Sequence, residues 1–444
     1  MTPRSSPAIE PLEHRILFHA GDLDPSFDAP STIAGTATAD FAGQIDMAKA
    51  VVVQSDGKAV VAGYSFSYAN SESYRHAHVS IARFNPDGSP DTTFGAAGQT
   101  SLNFQGSNWL LGLTLQKDGK ILIAADAGNG DFGLARLMPD GSPDPSFGTG
   151  GNVVTDAGDA WFGATSVAVE PDGKIFAAGG YGAVARYNAD GSPDATFDGD
   201  GIAHVASPAL AAGVFSTYAM ALQADGRILA AGYYYLPSFN PTKSLAEFAL
   251  ARLNSDGSMD GSFGAGGVVL TRVGKTRHSE INALAVQPDG KIIATGLTSN
   301  NEDSLAIARY NPDGSLDKKF GKKGSVTDRA LAGAFAVSLQ SDGRIVAAGS
   351  AATSPRRFAA ARYLPTGQRD RTFGDGGVAA IDVTGDAAAR SPSRRPLYPA
   401  QQARFLAILP DGRLLLAGEL SDGNSWASGD NNHRVDFLVA RLQA

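Results

Sequence analysis

Arginine and aspartate recur eight residues apart along the chain: Arg83 with Asp91, Arg136 with Asp144, Arg186 with Asp194, Arg252 with Asp260, Arg309 with Asp317 and Arg362 with Asp370. No aspartate follows Arg441, and Asp24, near the other terminus, is its counterpart in the pattern. A guanidinium and a carboxylate can form a two-point hydrogen-bonded pair that fixes a turn. One pair in every repeat reads as a structural lock, because seven copies cannot mark a single active site. The turns between the partners, such as Asn85–Asp91 and Asn311–Asp317, partly match an oxygen-rich calcium loop. Its first ligand position would hold arginine, Arg83 or Arg309, and a cation there repels calcium. These segments therefore read as turns stiffened by Asn and Asp side chains. His76 and His78 form the one close histidine pair, without an acidic ligand at diagnostic spacing, so no metal and no cofactor is expected. The chain has no nucleophile elbow, no His-Glu-x-x-His and no phosphate loop, so no catalytic residue is assigned.

The element that must position these residues is a unit written seven times. Its clearest copy runs from Ala283 to Gly296 and, after a gap, from Leu305 to Gly321. The glycine of its first turn stands at Gly57, Gly119, Gly173, Gly226, Gly290, Gly343 and Gly412. Its second half ends at Phe94, Phe147, Phe197, Phe263, Phe320 and Phe373, one copy fewer than the first half. The missing copy is Gly21–Phe27, at the N-terminus. A ring accounts for that split, because the first segment then completes the last unit and removes an open sheet edge. The fold expected is all-β: one seven-bladed β-propeller of four-stranded blades, its ring closed by the N-terminal segment. Residues 1–20 read as a flexible tail, export-related in character, and 21–444 as the propeller.

Within a unit, strand A (the Ala283–Gln287 type) sets modest side chains on one face: Val52, Thr114, Ala168, Ala221, Ala285, Ser338 and Ala407. Larger ones stand on the other: Val53, Leu115, Val169, Leu222, Val286, Leu339 and Ile408. Such pairing of faces lets neighbouring sheets interdigitate. An Asp-Gly-Lys/Arg hairpin leads to strand B, strand C carries the repeated Ala-Arg, and strand D is the short run after Phe-Gly. Helical periodicity is absent.

The A–B and C–D turns of such a blade share one side of the disc and are nearly the same in every unit. The B–C and D–A connections share the other side, and they vary. The variable side holds the candidate ligand-binding residues Tyr64, Tyr68, His76, His78, Trp109, Trp161, Tyr233, Tyr234, Tyr235 and Trp426. Aromatic side chains on loops over a rigid scaffold suit binding, including stacking on sugars. The competing reading is that they cap the apolar end of the ring.

Composition limits the partners. The 444 residues carry a net charge of −8, with no cysteine, so disulfides and thiolate metal sites are excluded. Without a basic stripe nucleic acid is not expected, and no apolar run approaches the roughly 20 residues of a membrane helix.

The signature Gln287–Ile292 with Ala308–Asp317 and Phe320-Gly321 resembles the delta-60 repeat, a bacterial repeat family of unknown function classed as a β-propeller. The resemblance covers about residues 21–444 and implies no known activity, cofactor or catalytic residue. The seventh copy departs most, with Leu409 in place of the glutamine and the Pro/Arg-containing stretch 387–400 before it. Glu10–Ala20 resembles a short Leu-Glu-x-Arg-hydrophobic segment found at the start of many bacterial secreted repeat proteins. The function expected is an extracellular or cell-surface, non-catalytic scaffold, a monomer, binding a glycan or protein through its variable loops. The alternatives are a cytoplasmic location, a propeller enzyme acting on polysaccharide as a lyase or hydrolase, and a structural module of a larger surface assembly.

Overall fold

A computed structural model describes residues 19–27, 33–41, 45–66, 77–104, 108–158, 163–210, 213–237, 245–274, 276–299, 302–353, 357–381, 402–421 and 435–444. Those residues are all-β apart from a short 3-10 turn at Pro208–Leu210. β1 (Thr36–Ala39) opens the order. Four-stranded antiparallel meanders follow, each paired in sequence order. The first is β2 (Ile45–Val53), β3 (Ala59–Phe66), β4 (His78–Phe84) and β5 (Gln99–Leu102). Next come β6 (Asn108–Leu115), β7 (Ile121–Ala127), β8 (Phe132–Leu137) and β9 (Asn152–Thr155). The third is β10 (Ala164–Val169), β11 (Ile175–Gly179), β12 (Ala183–Tyr187) and β13 (Ile202–His204). The fourth is β14 (Val214–Leu222), β15 (Ile228–Leu236), β16 (Leu245–Leu253) and β17 (Val268–Thr271). The fifth is β18 (His278–Val286), β19 (Ile292–Ser299), β20 (Asp303–Tyr310) and β21 (Ser325–Asp328). The sixth is β22 (Leu331–Leu339), β23 (Ile345–Ala351), β24 (Phe358–Tyr363) and β25 (Val378–Ile381). Last come β26 (Gln402–Ile408), β27 (Leu414–Ser421) and β28 (Val435–Leu442), and β1 pairs antiparallel with β28 in the place of a fourth strand.

Each Asp-Gly hairpin turns at a left-handed glycine, as at Gly57 with φ 83°. The core lies between units rather than within them. One cluster joins Val60 and Ile81 of the first meander to Ile121 and Ile123 of the second. Another joins Leu415, Phe437 and Val439 near the C-terminus to Val51, Val61 and Phe84 of the first meander. Ala82, Ala135, Ala185, Ala251, Ala308, Ala361 and Ala440 are all buried, which lets adjacent sheets approach closely. The first strands of successive meanders pack side by side, and β26 packs against β2.

The first strands are longer than the alternation predicts. β18 begins at His278, five residues before the Ala283 read from the pattern. A β-bulge interrupts each first strand at one register, with the extra residue being Lys49, Leu111, Thr165, Tyr218, Asn282, Phe335 or Arg404. The bulge shifts the side-chain phase by one, so a period of two stops matching there. The partner strand makes room with glycine: a Cβ on Gly63 would lie 1.9 Å from the Met47 carbonyl oxygen.

Candidate binding site on the variable loop side

The repeated charges form one clamp per unit. Arg83 donates through Nε to Asp91 Oδ2 at 2.7 Å, and the same bond joins Arg136 to Asp144, Arg252 to Asp260 and Arg441 to Asp24 at 2.7 Å. It joins Arg309 to Asp317 and Arg362 to Asp370 at 2.9 Å, while Arg186 Nε stands 2.8 Å from Asp194. Each guanidinium also lies over the repeated phenylalanine, for example Arg252 4.4 Å from the Phe263 ring centre and Arg441 4.7 Å from Phe27. Five of them donate onward to a carbonyl of the next unit: Arg83 to Pro139, Arg136 to Ala189, Arg186 to Ser255, Arg252 to Pro312 and Arg309 to Pro365. Arg441 donates to the Pro86 carbonyl, in the first meander.

A second cation completes each clamp. Lys58 Nζ is 2.9 Å from Asp91, Lys120 and Lys291 are 3.1 Å from Asp144 and Asp317, and Arg344 is 2.9 Å from Asp370. Arg227 stands 3.2 Å from Asp260, and Lys174 and Arg413 contact Asp194 and Asp24. The sequence reading missed this role, although the Lys/Arg after every Asp-Gly turn was its signal. The turn aspartates serve the turn itself, with Asp87 Oδ1 accepting from the Ser89 amide at 3.0 Å and from its hydroxyl at 2.7 Å.

Burial alone would raise the clamp carboxyls. Hydrogen bonds from Thr93 and Lys58, with the Arg83 charge, nevertheless hold Asp91 well below the usual range, and Asp24, Asp144, Asp194, Asp260, Asp317 and Asp370 are lowered in the same way. A carboxyl lowered by folding stabilises the native state above its unfolded pKa of about 4 and loses that contribution as pH falls toward its folded value. The melting temperature is therefore expected to stay level from pH 7 to about 5 and to fall steeply below about pH 4. A melting temperature that holds level down to pH 2 would sink the assignment.

The aromatic candidates separate by burial. Tyr64 and Tyr234 are 3% and 6% exposed, so they pack inside and offer no ring to solvent. Tyr64 donates to Met47 Sδ at 3.0 Å, and Tyr234 stands opposite Phe215 within one buried cluster. Strand alternation turns Tyr235 the other way, and it is 39% exposed, while Tyr233 is half-buried. His78 is half-buried in β4 opposite Ser65, and Trp109 lies in β6 opposite Asp126. Tyr68, His76, Trp161 and Trp426 lie outside the described residues.

The structure adds partners that the sequence reading missed. Tyr181, in the turn between β11 and β12, is 41% exposed, and Val214, which pairs with Tyr235, is 38% exposed. The Thr217 amide donates to the Gly180 carbonyl at 3.1 Å, which ties this turn to β14. The Tyr218 ring, on the bulge, lies 5.5 Å from the Tyr233 ring. Burial, with Glu280 beside it, pushes the Tyr218 phenol above its ordinary pKa, and burial with Tyr233 nearby does the same to Tyr181. Tyr233 and Tyr235 share one face of β15, with Val214 opposite Tyr235, and Tyr181 of the preceding unit stands near Tyr233. Each stands at the start of a first strand, at the end of a second strand or in the turn after one, which are the positions of the variable connections.

Six stretches of the chain, 54–94, 116–147, 170–197, 223–263, 287–320 and 340–373, match the family described as a domain of unknown function (DUF5122) beta-propeller. No curated protein matches the chain. Among solved structures, a protein of unknown function from Dyadobacter fermentans DSM 18053 is similar at 14% identity and TM-score 0.45, over 93% of this chain and 100% of that one. A catalytically inactive virginiamycin B lyase from Staphylococcus aureus, solved with quinupristin, is similar at 11% identity and TM-score 0.45, over 91% of this chain and 98% of that one. No helix among the described residues is long and apolar enough to cross a membrane.

Proposed function

Taking the chain as a β-propeller domain of unknown function, we propose that residues 21–444 form one seven-bladed ring, closed by the N-terminal segment, that serves as a non-catalytic binding scaffold outside the cell or on its surface. The cyclic packing of first strands, the core shared by the last and first meanders, and the β1–β28 pairing support the ring. Residues 1–20 are the tail that directs export. The scaffold acts as a monomer, and its ligand is a glycan or a protein held on the variable side.

The observation that carries the binding reading is the tyrosine surface. Three of the four large hydrophobic residues found exposed among those described belong to these two adjacent units: Val214 opposite Tyr235, and Tyr181 near Tyr233. The expense of exposing them is unexplained by packing, and amphipathic rings on a rigid support suit recognition. A Tyr181→Ser, Tyr235→Ser double variant is expected to lose at least tenfold in ligand capture on a glycan array or in a pull-down from culture medium, with its melting temperature within about 2 °C of the parent. A lowered melting temperature with capture unchanged would make these rings packing groups instead.

A further inference from the structure

We propose that a groove along the rim of the second meander is a binding site for a neutral oligosaccharide, separate from the tyrosine surface. The groove encloses about 890 Å³, and a neighbouring recess of about 450 Å³ shares Asn129 and Asp131 with it. The larger volume lies within the range of about 300–1,000 Å³ that small-molecule sites occupy.

Its lining has the mixed character that sugars need. Amides come from Asn103, Asn129 and Asn152, hydroxyls from Ser146 and Thr149, and carboxyls from Asp131 and Asp190. An amide both donates and accepts, which matches a sugar hydroxyl that does the same. Val154, at 56% the most exposed large hydrophobic residue among those described, lies in the groove wall with Phe104 and offers an apolar surface to the C–H face of a ring. No lysine, arginine or histidine lines either volume among the described residues, while Asp131, Asp156 and Asp190 do. Uronates, phosphates and nucleic acids would therefore meet like charge without a counter-ion, and a neutral chain would not.

The tip of the groove is built rigidly. Asn129 stands between Gly128 and Gly130 in the turn from β7 to β8, and all three have positive φ, at 94°, 56° and 84°. The Asp131 amide donates to the Gly128 carbonyl, and the Ala127 amide to the Asp131 carbonyl, both at 3.0 Å. Beneath them the Asp126 carboxylate accepts from the Gly128 amide at 2.8 Å. The backbone that presents Asn129 is thus ordered before binding.

The test is hydrogen exchange and titration of the full chain with maltotriose, cellotriose, mannotriose and N-acetylchitotriose at millimolar concentration. At least one trisaccharide is expected to protect residues 126–131 and 152–156. Asn129→Gly, which keeps the left-handed backbone, and Val154→Asp should each weaken that sugar at least tenfold with an unchanged melting temperature. Tyr181→Ser with Tyr235→Ser should leave its affinity unaltered, so failure of this site and failure of the tyrosine surface are distinguishable. Protection by none of the four sugars, protection by a lysine-rich peptide in their place, or loss of sugar binding in the tyrosine variant would overturn the proposal.

Discussion

A chain lacking residues 1–28 is expected to aggregate on expression, whereas one lacking residues 1–18 is expected to unfold at the same temperature as the full chain. The described contacts begin at His19 and become dense at once. The Ala20 carbonyl accepts from the Gly374 amide at 2.6 Å, in the sixth unit. The Gly21 amide donates to the Gln443 carbonyl at 2.9 Å and the Asp24 amide to the Arg441 carbonyl at 2.8 Å. Leu23 bridges Leu442, as Pro143 bridges Leu137 and Leu316 bridges Tyr310 elsewhere. Phe27, 2% exposed, lies under the Arg441 guanidinium and belongs to the buried cluster that holds Ala37, Phe437 and Val439. The longer truncation strips all of this at once. It leaves β1 as the sole partner of β28 on that side, without the Asp24 and Phe27 anchors, and a sheet edge that frays is a template for association. Size-exclusion chromatography and thermal melting of the two truncations decide the matter. Equal elution and equal melting would remove the N-terminal segment from the closure.

Arg441→Ala is expected to cost about 3–5 kcal/mol, the range for breaking a buried, hydrogen-bonded ion pair from one side. The guanidinium is 4% exposed, and it joins three parts of the chain. It donates to Asp24 Oδ2 at 2.7 Å, to Ser26 Oγ at 2.9 Å and to the Pro86 carbonyl across the junction with the first meander. Its removal also leaves the Asp24 carboxylate buried with Arg413 as its remaining cation. Asp24→Ala should cost a similar amount. The double variant should cost clearly less than the sum, since the second change removes a charge already stranded. Denaturant unfolding of the three variants measures this. A single-variant cost below about 1 kcal/mol, or strict additivity, would show that the termini are not coupled through this pair.

The unit itself was readable in the amino-acid order. Hairpin turns, strand alternation, the buried strand-C alanines and the Arg, Asp and Phe of the clamp are encoded by residues close in sequence. Asp24, 417 residues from its partner, was assigned only because the count of half-units placed it there. The clamp's second cation was in plain view at Lys58, Lys120 or Arg413 and was missed, because a charge beside a turn ordinarily faces water.

Exposure was not readable. Tyr233, Tyr234 and Tyr235 are identical letters in a row, yet one is in the core and its neighbour is open to solvent. Alternation separates their directions, but both faces of a strand in this architecture meet another unit, so only the position of that neighbour decides which ring is covered. The bulges posed the same difficulty, because an inserted residue breaks the period on which a sequence reading depends. The tyrosine surface and the rim groove join side chains from separate units, including Tyr181 with Tyr233 and Asn103 with Asp190. Local order in the chain determined the repeat, its turns and its clamp. The packing of one unit against the next decided which residues are left to meet a ligand, because that depends on distances no single repeat contains.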